Sequence, residues 1–219
     1  MTKKIRNILF DLDGTLTDPF EGITNCLRYS LENLNIPCPR TKELASYIGP
    51  PLRQTFSALL RSTDDALIER AVVLYRERFA GTGLYENRVY ENVPEMLKEL
   101  TSHSCSLFVA TSKVKVYAER ILDHFSLGSY FVEVFGSEPG GRFDDKAELL
   151  EELIRTHNLV PRETMMVGDR KHDVIAAKKN RIWSLGVTYG YGSIKELREA
   201  GADYVCRTPM DVVMLVKDA

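Results

Sequence analysis

Long apolar runs are missing from this chain: none exceeds five residues, the length of Val212 to Val216. A helix crossing a bilayer needs ~20, so no membrane span is expected. Cysteine is scarce as well. Cys26, Cys38, Cys105 and Cys206 stand far apart, without a CxxC pair or Cys/His ligand spacing. That excludes a disulfide scaffold and a structural zinc site, and free thiols in a reducing cytoplasm are expected. Excess charge of either sign is also lacking, with 29 Lys and Arg against 31 Asp and Glu and a net charge of −2. Nothing in that balance draws the chain to nucleic acid or to an anionic membrane. The apolar piece from Ile5 to Phe10 is too short for a signal-peptide core, so no export signal is expected. Repeats of 20–50 residues and low-complexity tracts are absent.

What remains is an ordinary globular composition: 219 residues, 44% hydrophobic and 27% charged. That suffices for one large domain, or for one domain carrying a smaller insert. Short β-branched or aromatic runs alternate with helical periodicity, which favours an α/β fold around a mostly parallel sheet. The strand candidates are 5–10, 105–110, 130–135, 164–167, 182–187 and 203–205. One interval breaks the alternation. Phe20, Ile23, Leu27, Leu31 and Leu34 recur at helical steps, and Ile36-Pro37-Cys38-Pro39 stops that helix. Ile68, Val72, Tyr75 and Phe79 draw a second stripe, closed by Gly81 and Gly83. The expected organisation is a core of residues 1–17 and 90–219, with residues 18–89 inserted as a small all-helical domain.

Chemistry concentrates at strand ends. The first strand runs into Asp11-Leu12-Asp13-Gly14-Thr15-Leu16-Thr17-Asp18. Two carboxylates at the end of an apolar strand are costly to bring together unless positive charge lies between them. An Asx-turn before a helix would explain a lone Asp-x-Asp-Gly. A calcium loop would not, because its glycine belongs at position six and here stands at four. Thr111-Ser112-Lys113 follows the second strand, where hydroxyls and backbone N–H groups can hold a phosphoryl oxygen or merely cap a helix. Lys146 sits in the first turn of a helix, against the helix dipole; pairing with Asp144 or Asp145 would be the structural explanation. Gly168-Asp169-Arg170-Lys171-His172-Asp173 closes a further apolar strand, and His172 faces away from both aspartates. Gly190-Tyr191-Gly192 lacks the third glycine of a dinucleotide loop and is read as a flexible connection near the site mouth.

The Asp-Leu-Asp-Gly-Thr-Leu-Thr-Asp string resembles the first motif of the haloacid dehalogenase superfamily, and the three other segments resemble its remaining motifs in order, over nearly the whole chain. The resemblance implies a Rossmann-like core with a helical cap inserted after the first strand. It implies Asp11 as nucleophile, Asp13 as general acid/base, Thr111 and Ser112 on the phosphoryl group, and Lys146 as the neutralising cation. Ala147 stands where many relatives follow that lysine with proline. Mg²⁺ would be held by Asp11, the main-chain carbonyl of Asp13 and Asp169, with Asp173 orienting waters or Lys146. Asp13 itself points to phosphate esters, because the dehalogenases lack an aspartate there.

Within the superfamily, Asp18–Ile23, Tyr47–Leu52 and Tyr189–Gly192 make phosphoglycolate phosphatase-like proteins the nearest likeness. Gly49 and Arg53 in the cap become substrate-binding candidates, beside an ordinary interhelix turn and a surface arginine. The implied activity is Mg²⁺-dependent hydrolysis of a small phosphorylated metabolite by a cytoplasmic monomer or homodimer, without nucleic-acid or membrane partners. A 5′-nucleotidase or pyrophosphatase is the alternative. A phosphomutase is less favoured, since residues 18–25 hold no histidine, as is a non-enzymatic phosphate-binding protein.

Overall fold

A computed structural model describes residues 4–138 and 142–218; the outermost ends of the expected core, residues 1–3 and 219, lie outside them. The chain begins with β1 (Asn7–Phe10) and β2 (Thr17–Asp18). It continues through α1 (Phe20–Asn33), α2 (Thr41–Leu44), α3 (Leu52–Leu60), α4 (Asp65–Arg78) and β3 (Arg88–Val89). Alternation then sets in with α5 (Val93–Ser102), β4 (Ser106–Val114), α6 (Lys115–His124), β5 (Glu133–Ser137) and α7 (Lys146–Thr156). It ends with β6 (Thr164–Gly168), α8 (Lys171–Lys179), β7 (Trp183–Val187), α9 (Ile194–Glu199), β8 (Tyr204–Cys206) and α10 (Pro209–Asp218). The chain divides into two compact units, Met1–Asp18 with Val89–Ala219 and, separately, Pro19–Arg88.

In the first unit, six strands among the described residues form a parallel sheet in the order β5-β4-β1-β6-β7-β8. From β1 the chain steps outward through β4 to β5, then crosses back to β6 and steps outward the other way. This is a doubly wound α/β sheet, and its switch point lies between β1 and β6. Strands buried on both faces need continuous apolar runs, and Ile8, Leu9, Phe10, Met165, Met166 and Val167 are all fully buried. Leu9, Phe108 and Met166 share one core with Leu149, Leu150 and Leu153 of α7 and Ala176 and Ala177 of α8. Ile8, Val109 and Val167 point to the opposite face by the two-residue period of a strand.

The six expected strands are found, with shifted limits. The 130–135 candidate is displaced to Glu133–Ser137, because Gly128–Tyr130 form a 3-10 turn and Phe108 pairs with Glu133. β4 runs past the expected end at 110 and continues to Val114, with an irregular register between Thr111 and Val114.

The second unit is helical. α1 buries Ile23, Cys26, Leu27 and Leu31, and α4 buries Ile68, Val72 and Tyr75. Tyr75 stacks on Phe79 at 5.4 Å and meets Phe56 edge-on at 6.2 Å. α1 ends ahead of its prolines: Asn35 takes a positive φ of 55°, a conformation asparagine tolerates better than most residues. No helix of the described residues is long and apolar enough to cross a membrane. The four cysteines are free thiols.

Candidate active site

Register brings the acidic residues together. Phe10 pairs with Val109 on one side and with Val167 on the other, so β1 and β6 end side by side, next to the point where β4 runs on through Ala110 and Thr111. Asp11 follows β1, and its N–H donates to the Val167 carbonyl at 2.9 Å. Asp169 follows β6 by one residue, across the switch point from Asp11. Asp173 lies in the first turn of α8, where its carboxylate accepts the Arg170 N–H at 3.0 Å. Carboxylate oxygens of Asp11, Asp169 and Asp173 lie within 4.8 Å of one another, and all three residues are buried.

Lys146 answers part of this negative charge. Asp145 caps α7 by accepting the Ala147 N–H at 2.8 Å. Lys146 therefore begins the helix pointing inward, and its Nζ lies 2.8 Å from Asp11 and also ion-pairs with Asp173. Neither Asp144 nor Asp145 takes that role. Burial pulls the lysine's pKa down, but Asp11 and Asp173 outweigh it and the pKa rises, so the ammonium is permanent at working pH.

Asp13 belongs to a second pair. Its carboxylate lies 2.8 Å from Lys113 Nζ, a lysine on β4 to which the sequence assigned no role. Burial raises the Asp13 pKa against the pull of Lys113. Thr111 is buried and its hydroxyl oxygen accepts the Lys113 N–H at 3.2 Å. Ser112 is half-buried, and its carbonyl accepts from the Ser137 hydroxyl. His172 is half-buried; burial and the cations Arg170 and Lys171 lower its pKa.

The structure thus gathers Asp11, Asp13, Thr111, Lys146, Asp169 and Asp173 at the carboxyl end of the first unit's sheet. Gly49 and Arg53 are residues of the second unit. Gly49 has φ +108° ahead of the Pro50-Pro51 turn into α3. Arg53 is half-exposed and pairs with Asp65 at 2.9 Å and with Glu69.

Sequence reasoning placed the Gly190-Tyr191-Gly192 segment near the site mouth but gave it no bond to the acidic residues. The Tyr191 N–H donates to Asp169 Oδ2 at 2.7 Å, and its hydroxyl donates to Asp18. The Tyr189 hydroxyl donates to the Thr15 carbonyl at 3.0 Å. The segment read as a flexible connection packs on the acidic site, and the paired glycines around Tyr191 were the available signal.

The donor set fits a hard divalent cation. Clustered carboxylates without sulfur or imidazole suit Mg²⁺, Ca²⁺ or Mn²⁺. Asp169 Oδ1 is buried without a hydrogen-bond partner, which is costly unless a cation or water completes it. Burial, then Asp173 and Asp11, push the Asp169 pKa up to about 8, and burial raises Asp173 to about 6. A carboxyl whose folded pKa exceeds its unfolded value costs stability as pH rises from the unfolded toward the folded value. Metal-free protein should therefore lose thermal stability between pH 6 and pH 8, and Mg²⁺ should restore more at pH 8 than at pH 6. Thermal melts in EDTA and in excess Mg²⁺ check this; an EDTA melting temperature independent of pH would refute it.

Comparison with known proteins agrees with this geometry. The family model described as haloacid dehalogenase-like hydrolase matches residues 8–187. A 5′-nucleotidase of Pseudomonas aeruginosa is 44% identical, over 91% of this chain and 90% of its own. Tyrosine-protein kinase PtkA of Mycobacterium tuberculosis is 32% identical over 94% of this chain and 67% of its own. A phosphoglycolate phosphatase of Vibrio parahaemolyticus is 27% identical over 97% and 96%. The crystal structure of a predicted phosphatase from Clostridium acetobutylicum superposes with a TM-score of 0.94 at 36% identity, covering 99% of this chain and all of that one. With the motifs in order on adjoining strand ends, and the family model spanning most of the sheet, the chain belongs to the haloacid dehalogenase-like hydrolases.

Proposed function

We propose that this hydrolase is a Mg²⁺-dependent phosphatase that cleaves a small phosphate monoester through an aspartyl-phosphate on Asp11. The observation that carries the reading is the meeting of Asp11, Asp13, Lys146 and Asp169 at the carboxyl end of one sheet, with a permanent ammonium 2.8 Å from the candidate nucleophile. The enzyme is a phosphatase of its family; the metal, the intermediate and the substrate are the finer parts of the proposal.

Asp11 attacks phosphorus, and the bond from phosphorus to the ester oxygen breaks. Splitting hydrolysis at a covalent intermediate replaces one very slow step by two easier ones. Asp13, two residues along the same strand end, gives its proton to the departing alkoxide. It then takes a proton from the water that hydrolyses the intermediate. Lys146 holds Asp11 in place and offsets charge on the phosphoryl oxygens, while Thr111, Ser112 and neighbouring N–H groups orient them. A divalent cation held by Asp11, Asp169 and the Asp13 carbonyl, with Asp173 beside them, supplies further neutralisation of the phosphoryl charge when bound. Residues 18–89 act as the cap, with Gly49 and Arg53 contributing to substrate choice. The free thiols fit a reducing, cytoplasmic setting.

On substrate, the 44% identity to a 5′-nucleotidase outweighs the 27% to a phosphoglycolate phosphatase. That moves nucleoside 5′-monophosphates ahead of the phosphoglycolate suggested by the motifs. Purified protein should hydrolyse para-nitrophenyl phosphate only with Mg²⁺ present. In a panel of phosphometabolites, 5′-nucleotides should show the highest kcat/KM. Phosphoglycolate ranking first would reverse the order. ATP-dependent tyrosine phosphorylation without hydrolysis would overturn the phosphatase reading.

A further inference from the structure

Asp169 sits in a cradle of glycines. A Cβ on Gly14, whose φ is +81°, would fall 2.6 Å from the Asp169 Cγ. A Cβ on Gly190 would fall 2.6 Å from the Asp169 Cβ, and one on Gly192 would strike the Asp169 carbonyl oxygen. Real Cβ atoms do not approach so closely, so only glycine lets the loop after β7 press its backbone against this carboxylate. The loop spends that approach on one hydrogen bond, from the Tyr191 N–H to Asp169 Oδ2 at 2.7 Å. Oδ1 is left buried and without a partner.

The Tyr191 side chain leaves in another direction and anchors on Asp18, the residue at which the chain exits the first unit. Burial and the bond to Asp18 keep this phenol protonated and therefore a donor. Tyr189 braces the same loop on the Thr15 carbonyl and meets the Tyr90 ring at 5.1 Å. One residue thus holds a site carboxylate through its main chain and the exit strand through its side chain.

We infer that Tyr191 is a positioning residue: anchored on Asp18, it fixes the rotamer of Asp169 so that Oδ1 is presented to the divalent cation. The inference rests on the reading of Asp169 as a cation ligand. Its consequence is that cation affinity depends on a hydroxyl bonded to Asp18 and not to any of the three clustered carboxylates. The phenol acts through its bond to Asp18 and its contact with Tyr90, so losing the Asp18 end should weaken cation binding in the same direction as losing the phenol, and by no more.

The test uses the full chain and Mn²⁺, whose binding is read by electron paramagnetic resonance, with melting in EDTA recorded in parallel. Tyr191→Phe should weaken Mn²⁺ binding about fivefold, within the range of one hydrogen bond. Asp18→Ala should weaken binding in the same direction and by no more, since Tyr90 still meets the phenol, and the double variant should be no weaker than Tyr191→Phe alone. Asp18→Asn keeps an acceptor oxygen and should bind close to wild type. It is also compared with Asp18→Ala should Tyr191→Phe melt early, because that pair leaves Tyr191 intact. Wild-type affinity in Tyr191→Phe and Asp18→Ala, alongside lost binding in Asp169→Asn, would overturn the positioning role while the cation site stands. Additive losses in the double variant would also overturn it. Unchanged binding in Asp169→Asn would overturn the cation reading, and this inference with it.

Discussion

Asp11→Asn should abolish turnover, lowering kcat by at least about 10³-fold, as expected for removal of a covalent nucleophile. An amide oxygen neither attacks phosphorus usefully nor carries charge to a cation. The local structure should nonetheless survive. Asp11 Oδ1 accepts the Leu12 N–H at 2.7 Å, a bond that an asparagine oxygen can keep. Lys146 loses one carboxylate but retains Asp173, so its ammonium is not stranded. Loss of activity with a near-native melting temperature is the expected pair of results. Retained turnover above a few per cent, in a preparation cleared of contaminating phosphatases, would remove Asp11 from the proposed role.

The acidic half of the site was legible because it is local. Asp11 and Asp13 belong to one strand end, and Asp169 and Asp173 to one strand-to-helix turn. The helical stripes of α1 and α4 were legible for the same reason, since periodicity is written into consecutive turns. Lys113 was not, because its value comes from the neighbouring strand. β4 runs through Thr111 with a break in register before Val114, and its lysine reaches Asp13, a residue remote in sequence. The limits of β5 failed similarly: the apolar residues around Tyr130 look like strand, but pairing with β4 decides where the ladder begins. Tyr191 shows a third kind of blindness. Its flanking glycines suggest freedom, and only the packed structure reveals that they permit close approach to Asp169.

Asp13→Asn should separate the two chemical steps of the proposed reaction. Asp13 stands two residues from the candidate nucleophile, where it can serve the bridging oxygen. Burial raises its pKa despite Lys113, which favours a carboxyl able to hold a proton for a leaving group. An alkyl phosphate releases a strongly basic alkoxide, so without that proton the first step should fail for natural substrates. Para-nitrophenolate leaves without help, so Asp11 should still be phosphorylated from para-nitrophenyl phosphate. The second step still needs a base on water, an assistance typically worth ~10²–10⁴-fold. The variant should therefore release a burst of para-nitrophenolate and then turn over slowly. Rapid quenching followed by mass spectrometry should find one phosphoryl group on Asp11. The asparagine leaves the main-chain carbonyl in place, so Mn²⁺ affinity should change little, which separates proton transfer from cation loss. Loss of the ion pair between Asp13 and Lys113 should cost the variant some thermal stability without abolishing the burst. Steady-state rates with alkyl phosphates equal to those of the wild type would refute Asp13 as the acid and base.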